Sequence, residues 1–248
     1  MTKTQIDRLG DRLKKGNISD DDLRLLDQYR LSFSEAYEFV TETIRKELAL
    51  DLKSGRTKSN TSISDKLRRE SIRLTQIQDI AGCRLTVPGI ANQELVVQSL
   101  ESIFEDVRIE DRRKRPSHGY RAVHVIVNYR GKAIEIQVRT SLQHLWAELS
   151  EKLSDIVNPA VKYGGGDETI QMFLKQASVL VANQESFEMN LRDMQAQSSS
   201  QGGLVNEGKQ LADLQAHLIS DTRKVSEYLH NAIKEITGLN GENNDLSD

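Results

Sequence analysis

Residues Arg112–Thr140 read RRKRPSHGYRAVHVIVNYRGKAIEIQVRT, and the rest of the chain is organised around this segment. Two apolar runs within it, Tyr120–Tyr129 and Lys132–Arg139, alternate in polarity as β-strands do. The Arg-Gly dipeptide between the two runs favours a tight hairpin connection. Because side chains alternate across a strand, one face of the hairpin is predicted to be apolar, and the opposite, polar face carries the carboxylate of Glu135.

The composition limits the class of protein. With 37% hydrophobic and 29% charged residues, the 248-residue chain fits a soluble, helix-rich protein that can bury a substantial core. No apolar run is long enough to cross a bilayer and the N-terminus has no apolar signal core, so we expect a cytoplasmic protein that has no membrane segment. The net charge of -3 implies that contacts with polyanions come from local clusters of basic residues.

Cys83 is the only cysteine, and it lies within an apolar run. A disulfide within the chain is therefore excluded, and a zinc cluster is not expected. We interpret Cys83 as a small buried core residue rather than a catalytic thiol.

The first two thirds of the chain divide into a helical region and a mixed region. Residues 1–53 are predicted to be helical and to pack on the domain that follows, with helices at Thr4–Lys15 and Asp21–Leu52. Residues 54–160 alternate between strand and helix patterns. The elements expected there before the hairpin are a short edge strand or extended turn at 56–59, a helix at Ile63–Glu70 capped by Thr61 or Ser62, a strand in DIAGCRLTV from Asp79, a helix at Asn92–Phe104 and a strand at Val107–Asp111.

The C-terminal part is helical. Residues 167–237 contain two long helical patterns, Glu168–Gln197 and Leu204–Ile236, and residues 238–248 have the composition of a disordered tail. The apolar stripes of these helices suit either of two roles, packing onto the rest of the chain or self-association into a homo-oligomer.

The charged residues of the central region suit phosphate chemistry. Transfer of a phosphoryl or pyrophosphoryl group needs a divalent metal held by carboxylates, cations against the phosphates and a positioned hydroxyl. Asp79 and Glu135 lie on predicted strands, and adjacent strands can bring both carboxylates to one Mg²⁺. The cations predicted to meet phosphates are Arg56, Lys58 and Lys66 on one side and Arg112, Arg113, Lys114 and Arg115 on a loop. Tyr120 can stack on a nucleobase, a contact worth roughly 1–3 kcal/mol.

Each of these residues also has a simpler structural interpretation. Asp79 can cap a turn, and the basic run can be a solvated loop. His124 can be a buried histidine of the core, and Gly119 can serve only to shape a turn. Glu135 is harder to explain structurally, because a carboxylate in an apolar strand needs either solvent or a partner.

Five separated segments together resemble a known family. RTKSNTSISDKLRRE, QDIAGCRLTV, HGYRAVHVIV, EIQVRT and LQHLWAELSEKL occur in this order and resemble the synthetase domain of the RelA/SpoT family, the alarmone synthetases. The resemblance covers about Arg56 to Asp155. It implies an α/β (α+β) fold, with a mixed five-stranded sheet flanked by helices. It also implies transfer of pyrophosphate from ATP to the 3′-hydroxyl of GDP or GTP with Mg²⁺, which makes (p)ppGpp.

The resemblance assigns a role to each matching residue. Asp79 and Glu135 resemble the metal-binding pair, and Glu135 can also help to deprotonate the attacking hydroxyl. The residues that resemble the ATP-binding segment are Arg56, Lys58, Ser62 and Lys66, with Arg112–Arg115 in the place of the loop that closes over ATP. Tyr120 resembles the residue that stacks on the acceptor guanine, with His124 and Gln137 in the same pocket and with Arg84 and Arg139 as partners of phosphates or carboxylates.

The segment that leads into and includes the glycine-tyrosine pair, residues 112–121, is here called the acceptor loop, and it departs from the family pattern. Alarmone synthetases often carry a lysine and an asparagine just before the glycine-tyrosine pair, whereas this chain has Pro116 and His118, so His118 becomes an acceptor-binding candidate. The sequence of this loop resembles that of divergent small synthetases, some of which are toxins that pyrophosphorylate the 3′ end of transfer RNA.

Three functions therefore remain open. The first is a GTP diphosphokinase, the second is a toxin that modifies transfer RNA, and the third is a catalytically silent regulator that binds nucleotide or RNA. For a toxin or a regulated enzyme, the C-terminal helices also suit a contact with an antitoxin or regulator. No segment resembles the family's hydrolase domain, so hydrolysis of the alarmone is not expected.

Overall fold

The computed structural model describes residues 1–16, 18–50, 52, 54–200 and 205–244. The helices are α1 Lys3–Lys15, α2 Asp20–Leu31, α3 Ser34–Leu48, α4 Asn60–Arg69, α5 Ile90–Ile103, α6 Ser141–Ile156, α7 Glu168–Ser200 and α8 Val205–Asn244. The strands are β1 Ser54–Thr57, β2 Ala81–Val87, β3 Val107–Asp111, β4 Val123–Tyr129 and β5 Lys132–Thr140. Short 3-10 helices lie at Leu74–Gln76 and Val161–Tyr163.

The five strands form one sheet in the order β1-β2-β5-β4-β3. β1 is antiparallel to β2, and β4 is antiparallel to β5. β3 is also antiparallel to β4, because the amide of Arg112 donates to Ala122 O and the amide of Asn128 donates to Asp106 O.

The remaining strand pair makes the sheet mixed. At the start of β2, Gly82 lies directly against the backbone oxygen of Glu135, and at the end of β2, Ser141 Oγ donates to Val87 O over 3.3 Å. Residues later in β2 thus lie beside residues later along β5 and its continuation, so the two strands are parallel. The predicted mixed five-stranded sheet flanked by helices is confirmed.

The chain divides into two compact units. The first comprises Met1–Leu85, Val96–Glu110 and Val123–Val138, and the second comprises Thr86–Leu95, Asp111–Ala122 and Arg139–Asp248. Each unit has its own apolar core. In the first unit, α1 to α4 and the central strands bury the core residues, among which Leu13, Leu26, Ile44, Ile63, Ile134 and Ile136 are fully buried.

The predicted single helix over Asp21–Leu52 is wrong, because α2 ends at Leu31 and α3 begins at Ser34. At the break, Ser32 Oγ donates to Tyr29 O over 2.6 Å, and a serine hydroxyl that bonds to a nearby carbonyl competes with continued helix. The Phe33 ring packs edge-on against Tyr29 with its centroid 5.3 Å away. Both aromatics are buried, so the apolar stripe continues across the break and conceals it in the sequence.

The predicted hairpin at Arg130-Gly131 is confirmed. Arg130 has φ 49° and Gly131 has φ 74°, the positive values that a two-residue hairpin turn requires at both positions. The first strand of the hairpin begins at Val123 rather than at Tyr120. The face that carries Glu135 is polar as predicted, but His124 on that face is only 4% exposed, so much of this polar surface is buried.

The second unit is built on α6, α7 and α8. Thr140 caps α6 through a capping box with Gln143, and Trp146 of α6 packs in a core with Leu174, Val181 and Leu229. The helix α8 continues through Asn244, so the tail predicted from residue 238 begins too early; a helix that is already nucleated extends one hydrogen bond per residue through polar sequence. Within the described residues, no helix has the length and apolar character needed to cross a membrane.

Candidate active site

Two lysines hold Asp79 in the first unit. Lys58 Nζ lies 2.6 Å from Asp79 Oδ2, and Lys66 Nζ lies 3.0 Å from Oδ1. Lys58 follows β1 directly, and its backbone amide donates to Ile80 O, so the β1–β2 pairing brings Lys58 to Asp79. Lys66 comes from α4, which is capped by Ser59 rather than by the predicted Thr61 or Ser62.

Glu135 is held by two neighbours on the polar face of the hairpin. His124 Nδ1 lies 2.8 Å from Glu135 Oε1, and Gln137 Nε2 donates to Oε2 over 2.8 Å. His124 and Gln137 face each other in the register of β4 and β5, and Glu135 is two residues along β5 from Gln137. The side chain of Glu135 is 12% exposed. The hairpin therefore holds both oxygens of one nearly buried carboxylate.

Both carboxyl groups are held ionised. Burial opposes ionisation of Asp79, but the charges of Lys58 and Lys66 and their hydrogen bonds outweigh it, so its pKa is lowered. Burial likewise opposes ionisation of Glu135 and the charge of Asp79 adds to that effect, but His124 and Gln137 more than compensate, and the pKa of Glu135 is lowered. The site thus presents two carboxylates at neutral pH.

The two carboxylates line one cavity of about 120 Å³ in the first unit. Its remaining lining residues are Lys58, Gly82, Cys83, Arg84 and Gln137. Burial raises the pKa of the Cys83 thiol to about 12, so Cys83 is protonated at neutral pH, in agreement with its predicted core role. Arg84 adds a cation to the same cavity.

The residues of this cavity fit a magnesium ion that also binds substrate phosphates. Mg²⁺ commonly takes one or two protein carboxylates and fills its remaining positions with water and phosphate oxygens. Asp79 and Glu135 are two such carboxylates on one cavity. No cluster of three or more acidic, histidine or cysteine ligands occurs among the described residues.

The Asp79 ion pairs predict a pH-dependent stability. We expect Lys58→Met to lower the free energy of unfolding by about 1.5 kcal/mol at neutral pH, because it removes a charged hydrogen bond. Since the folded pKa of Asp79 is lowered, the stabilisation is present above the ordinary aspartate pKa of about 3.9 and is lost as pH falls through the lowered value. Urea unfolding from pH 3 to pH 7 measures the difference from wild type, and a difference that stays constant to pH 3 contradicts the assignment.

The other predicted ATP-binding residues of the first unit differ in how they are held. Ser62 is exposed on the first turn of α4, and its hydroxyl oxygen accepts a hydrogen bond from Ser59 Oγ over 2.8 Å. The backbone of Arg56 pairs with that of Gly82 in the β1–β2 register, whereas the Arg56 side chain lies outside the described residues.

The four residues of the basic run 112–115 differ in their exposure and in their partners. Arg113 is fixed by Asp111 through two guanidinium hydrogen bonds of 2.9 Å, and its Nη1 donates to Gln93. Only 18% of the Arg113 side chain is exposed, whereas 82% of the Lys114 side chain is. Arg112 is half-buried and Arg115 is exposed. In this structure Arg113 therefore braces the end of β3, and Lys114 and Arg115 are the residues of the run that solvent reaches most freely.

Two predicted acceptor residues meet in the second unit. Arg139 Nη2 donates to Tyr120 Oη over 3.0 Å, and the Arg139 guanidinium lies 5.1 Å from the centre of the Tyr120 ring. Arg139 is 3% exposed, and the centre of the Trp146 ring lies 6.5 Å from that of the Tyr120 ring. The tyrosine ring is thus oriented by a buried cation and a buried indole.

The residues before Tyr120 form a tight turn. His118 and Gly119 both have positive φ, 52° and 91°, and the Tyr120 amide donates to Ser117 O. A side chain at Gly119 would lie 2.7 Å from the Trp146 ring, so glycine is needed there for space as well as for backbone conformation. The predicted acceptor residue His118 lines a separate cavity of about 600 Å³ between this loop and α7.

One charged residue of the second unit was missed by the sequence analysis. Glu185 of α7 is 5% exposed, and it accepts hydrogen bonds from Thr140 Oγ1 and Gln143 Nε2. It lies on the buried stripe of α7 with Leu174 and Val181. A lone carboxylate in the core stripe of a helix was the available signal, because such a group must have buried partners.

Fold and site together define a class, namely an α/β protein in which a lysine-paired aspartate beside β2 and a nearly buried glutamate on β5 line one cavity. Residues 55–154 match the family model described as the region found in RelA / SpoT proteins. This match agrees with the resemblance to the RelA/SpoT family that the sequence motifs indicate.

Individual relatives agree with this assignment. The chain is 30% identical to GTP pyrophosphokinase YjbM of Bacillus subtilis over 145 residues, which cover 52% of this chain and 65% of YjbM. It is 36% identical to the uncharacterised protein Rv1366 of Mycobacterium tuberculosis over 116 residues, which cover 45% of this chain and 42% of that protein. The matches thus span less than two thirds of either relative.

Solved structures support the fold. The structure resembles that of small alarmone synthetase 1 from B. subtilis with a TM-score of 0.51 and 25% identity, covering 71% of this chain and 97% of the other. The same synthetase bound to its product pppGpp gives a TM-score of 0.53 at 24% identity, covering 71% and 98%.

Proposed function

We propose that this protein is a pyrophosphokinase that transfers the β,γ-pyrophosphate of ATP to the 3′-hydroxyl of GDP or GTP and so makes (p)ppGpp. The observation that carries the proposal is the cavity where the lysine-paired Asp79 and the nearly buried Glu135 lie together in a RelA/SpoT region. The name of YjbM, a GTP pyrophosphokinase, supports this reaction class. A cytoplasmic location, where ATP and guanine nucleotides are available, goes with it.

The lysines and Asp79 give the site its affinity for the donor nucleotide. Lys58 and Lys66 neutralise Asp79 in the ligand-free protein, and both ammonium groups can turn to phosphate oxygens when ATP binds. Asp79 is then free to act as a metal ligand together with Glu135. A bound Mg²⁺ would neutralise the charge that develops on the transferred pyrophosphate.

Glu135 accepts the proton of the attacking hydroxyl. Its pKa is lowered by His124 and Gln137, so it is ionised and ready to act as a base at neutral pH. Gln137 holds one oxygen and His124 the other, which leaves the carboxylate with a single orientation. The Tyr120 ring, held by Arg139, offers a stacking surface for the acceptor base.

The acceptor assay tests the proposal. Purified protein is incubated with labelled ATP, Mg²⁺ and one acceptor at a time, namely GDP, GTP or deacylated transfer RNA, and products are separated by chromatography. Product from GDP or GTP that is absent with Glu135→Ala supports the proposal. Product from transfer RNA alone would identify the second candidate, a transfer RNA pyrophosphokinase, which the Pro116 and His118 of the acceptor loop favour. No product above the Glu135→Ala background with any acceptor would leave a nucleotide-binding regulator.

A further inference from the structure

The C-terminal helix α7 contacts the acceptor loop at several points. The Oε1 atom of Glu185 accepts hydrogen bonds from Thr140 Oγ1 over 2.9 Å and from Gln143 Nε2 over 2.7 Å. The Oε2 atom lies 3.7 Å from Nε of Arg121. Two turns earlier on the same helix, Ser178 Oγ donates to Gly119 O over 2.6 Å. All these residues belong to the second unit.

These contacts of α7 are made to residues adjacent in sequence to Tyr120 and Arg139. Arg121 follows Tyr120, Thr140 follows Arg139, and Gly119 precedes Tyr120. A displacement of Glu185 or Ser178 therefore moves the backbone on which the Tyr120 ring and the Arg139 guanidinium are mounted. The turn at Gly119 has positive φ and is held against the Trp146 ring, so it has little freedom to adjust.

A buried carboxylate at this place is costly unless it has a specific use. Burial raises the pKa of Glu185, and the hydrogen bonds from Thr140 and Gln143 and the charges of Arg121 and Arg113 offset only part of this effect. An apolar residue at this position would continue the Leu174–Val181 stripe of α7 with a lower desolvation cost. A carboxylate instead gives three directed contacts, which fix geometry rather than add apolar stability.

We propose that Glu185 and Ser178 of α7 are positioning residues for acceptor binding, because they set the orientation of the Tyr120–Arg139 pair through Arg121, Thr140 and Gly119. The inference rests on the proposed function, in which Tyr120 stacks on the acceptor base. It assigns a role in substrate affinity to a helix outside the matched RelA/SpoT region of residues 55–154.

The test compares Glu185→Gln with Glu188→Gln. The glutamine at 185 keeps an oxygen for Thr140 and Gln143 but loses the charge that attracts Arg121, and we expect the acceptor KM to rise about tenfold while the ATP KM changes less than about twofold. Glu188 lies on the same helix one turn later and accepts hydrogen bonds from the amides of Ile90 and Ala91. Its amide variant therefore controls for the loss of a carboxylate from α7 and should leave the acceptor KM within about twofold of wild type.

A second variant covers the case in which Glu185→Gln fails to fold. Ser178→Ala removes a single hydroxyl and is expected to raise the acceptor KM about fivefold by releasing Gly119 O. Its control is Ser186→Ala, because Ser186 is exposed and its hydroxyl donates to Ala182 O of the same helix. Unchanged acceptor KM values for both Glu185→Gln and Ser178→Ala would overturn the proposal, as would an equal rise in the control variants.

A measurement on the ligand-free protein separates this proposal from the proposed function. Amide hydrogen exchange of residues 117–122 reports on the loop directly, since the Tyr120 amide donates to Ser117 O. We expect exchange about fivefold faster than in wild type for Glu185→Gln and for Ser178→Ala. The exchange rate should not change in Glu188→Gln or Ser186→Ala. If wild type makes no product with any acceptor, the proposed function fails, and the exchange rates still decide whether α7 holds the loop. Equal exchange in all four variants would refute the positioning role.

Discussion

Glu135→Gln is expected to lower kcat/KM for pyrophosphate transfer by about a thousandfold or more, since the proposed function gives Glu135 the roles of base and metal ligand. The substitution keeps the size of the side chain and leaves an oxygen that can accept from Gln137. His124 loses the charge of its partner, whose oxygen lies 2.8 Å from Nδ1. Rates of product formation from labelled ATP and GDP or GTP measure the effect.

The appropriate control removes a carboxylate that has no place in the cavity. Glu101 is exposed on α5, and Glu101→Gln should retain the wild-type rate. Circular dichroism and thermal unfolding of Glu135→Gln establish that the fold is intact. A Glu135→Gln enzyme that keeps more than about a tenth of the wild-type kcat/KM would rule out Glu135 as the base.

Gly82→Ala is expected to destabilise the first unit by about 3 kcal/mol or more, because an added methyl group overpacks the contact between β2 and β5. A Cβ at this position would lie 2.4 Å from the backbone oxygen of Glu135. A backbone atom of a central strand cannot turn away as a side chain can, so the two strands must separate. The same movement displaces Glu135, and we expect activity to fall with stability.

Gly131→Ala is the matched control for the loss of glycine. Gly131 has φ 74° in the hairpin turn, and a Cβ there meets no atom within 4 Å. Its substitution therefore costs only the backbone strain of a left-handed conformation, about 1 kcal/mol. Urea unfolding of the two variants separates steric from conformational cost. Equal losses of stability in both would show that close strand approach is not the reason for glycine at position 82.

The local pattern of the hairpin was readable because its determinants are close in sequence. Alternation along Lys132–Arg139 and the Arg-Gly turn indicated the strands, their connection and the face on which Glu135 lies. The break in the N-terminal helix was not readable, because Tyr29 and Phe33 continue the apolar stripe across it. Helical periodicity reports which side is buried, and it does not report a hydroxyl that turns back to a carbonyl.

The sequence by itself determined the residues of the carboxylate site. Each of Asp79, Glu135, Lys58 and Lys66 lies in a segment with its own pattern. Those patterns, in their order, predicted the resemblance to the family and the roles proposed for these residues. Only the tertiary structure decided which partner each charge takes. It showed Lys58 and Lys66 on Asp79, His124 and Gln137 on Glu135, and Arg113 on Asp111.

The acceptor loop shows most clearly which features the sequence determines and which only the tertiary structure determines. The sequence placed Pro116, His118 and Tyr120 in one loop and marked where this chain departs from the family that it resembles. It could not show that Glu185, distant along the chain, contacts Thr140 and Arg121. Contacts of this kind depend on helix packing, since α6 and α7 are held together through the apolar core of the second unit. A pattern along one segment holds no information about which distant segment will lie beside it.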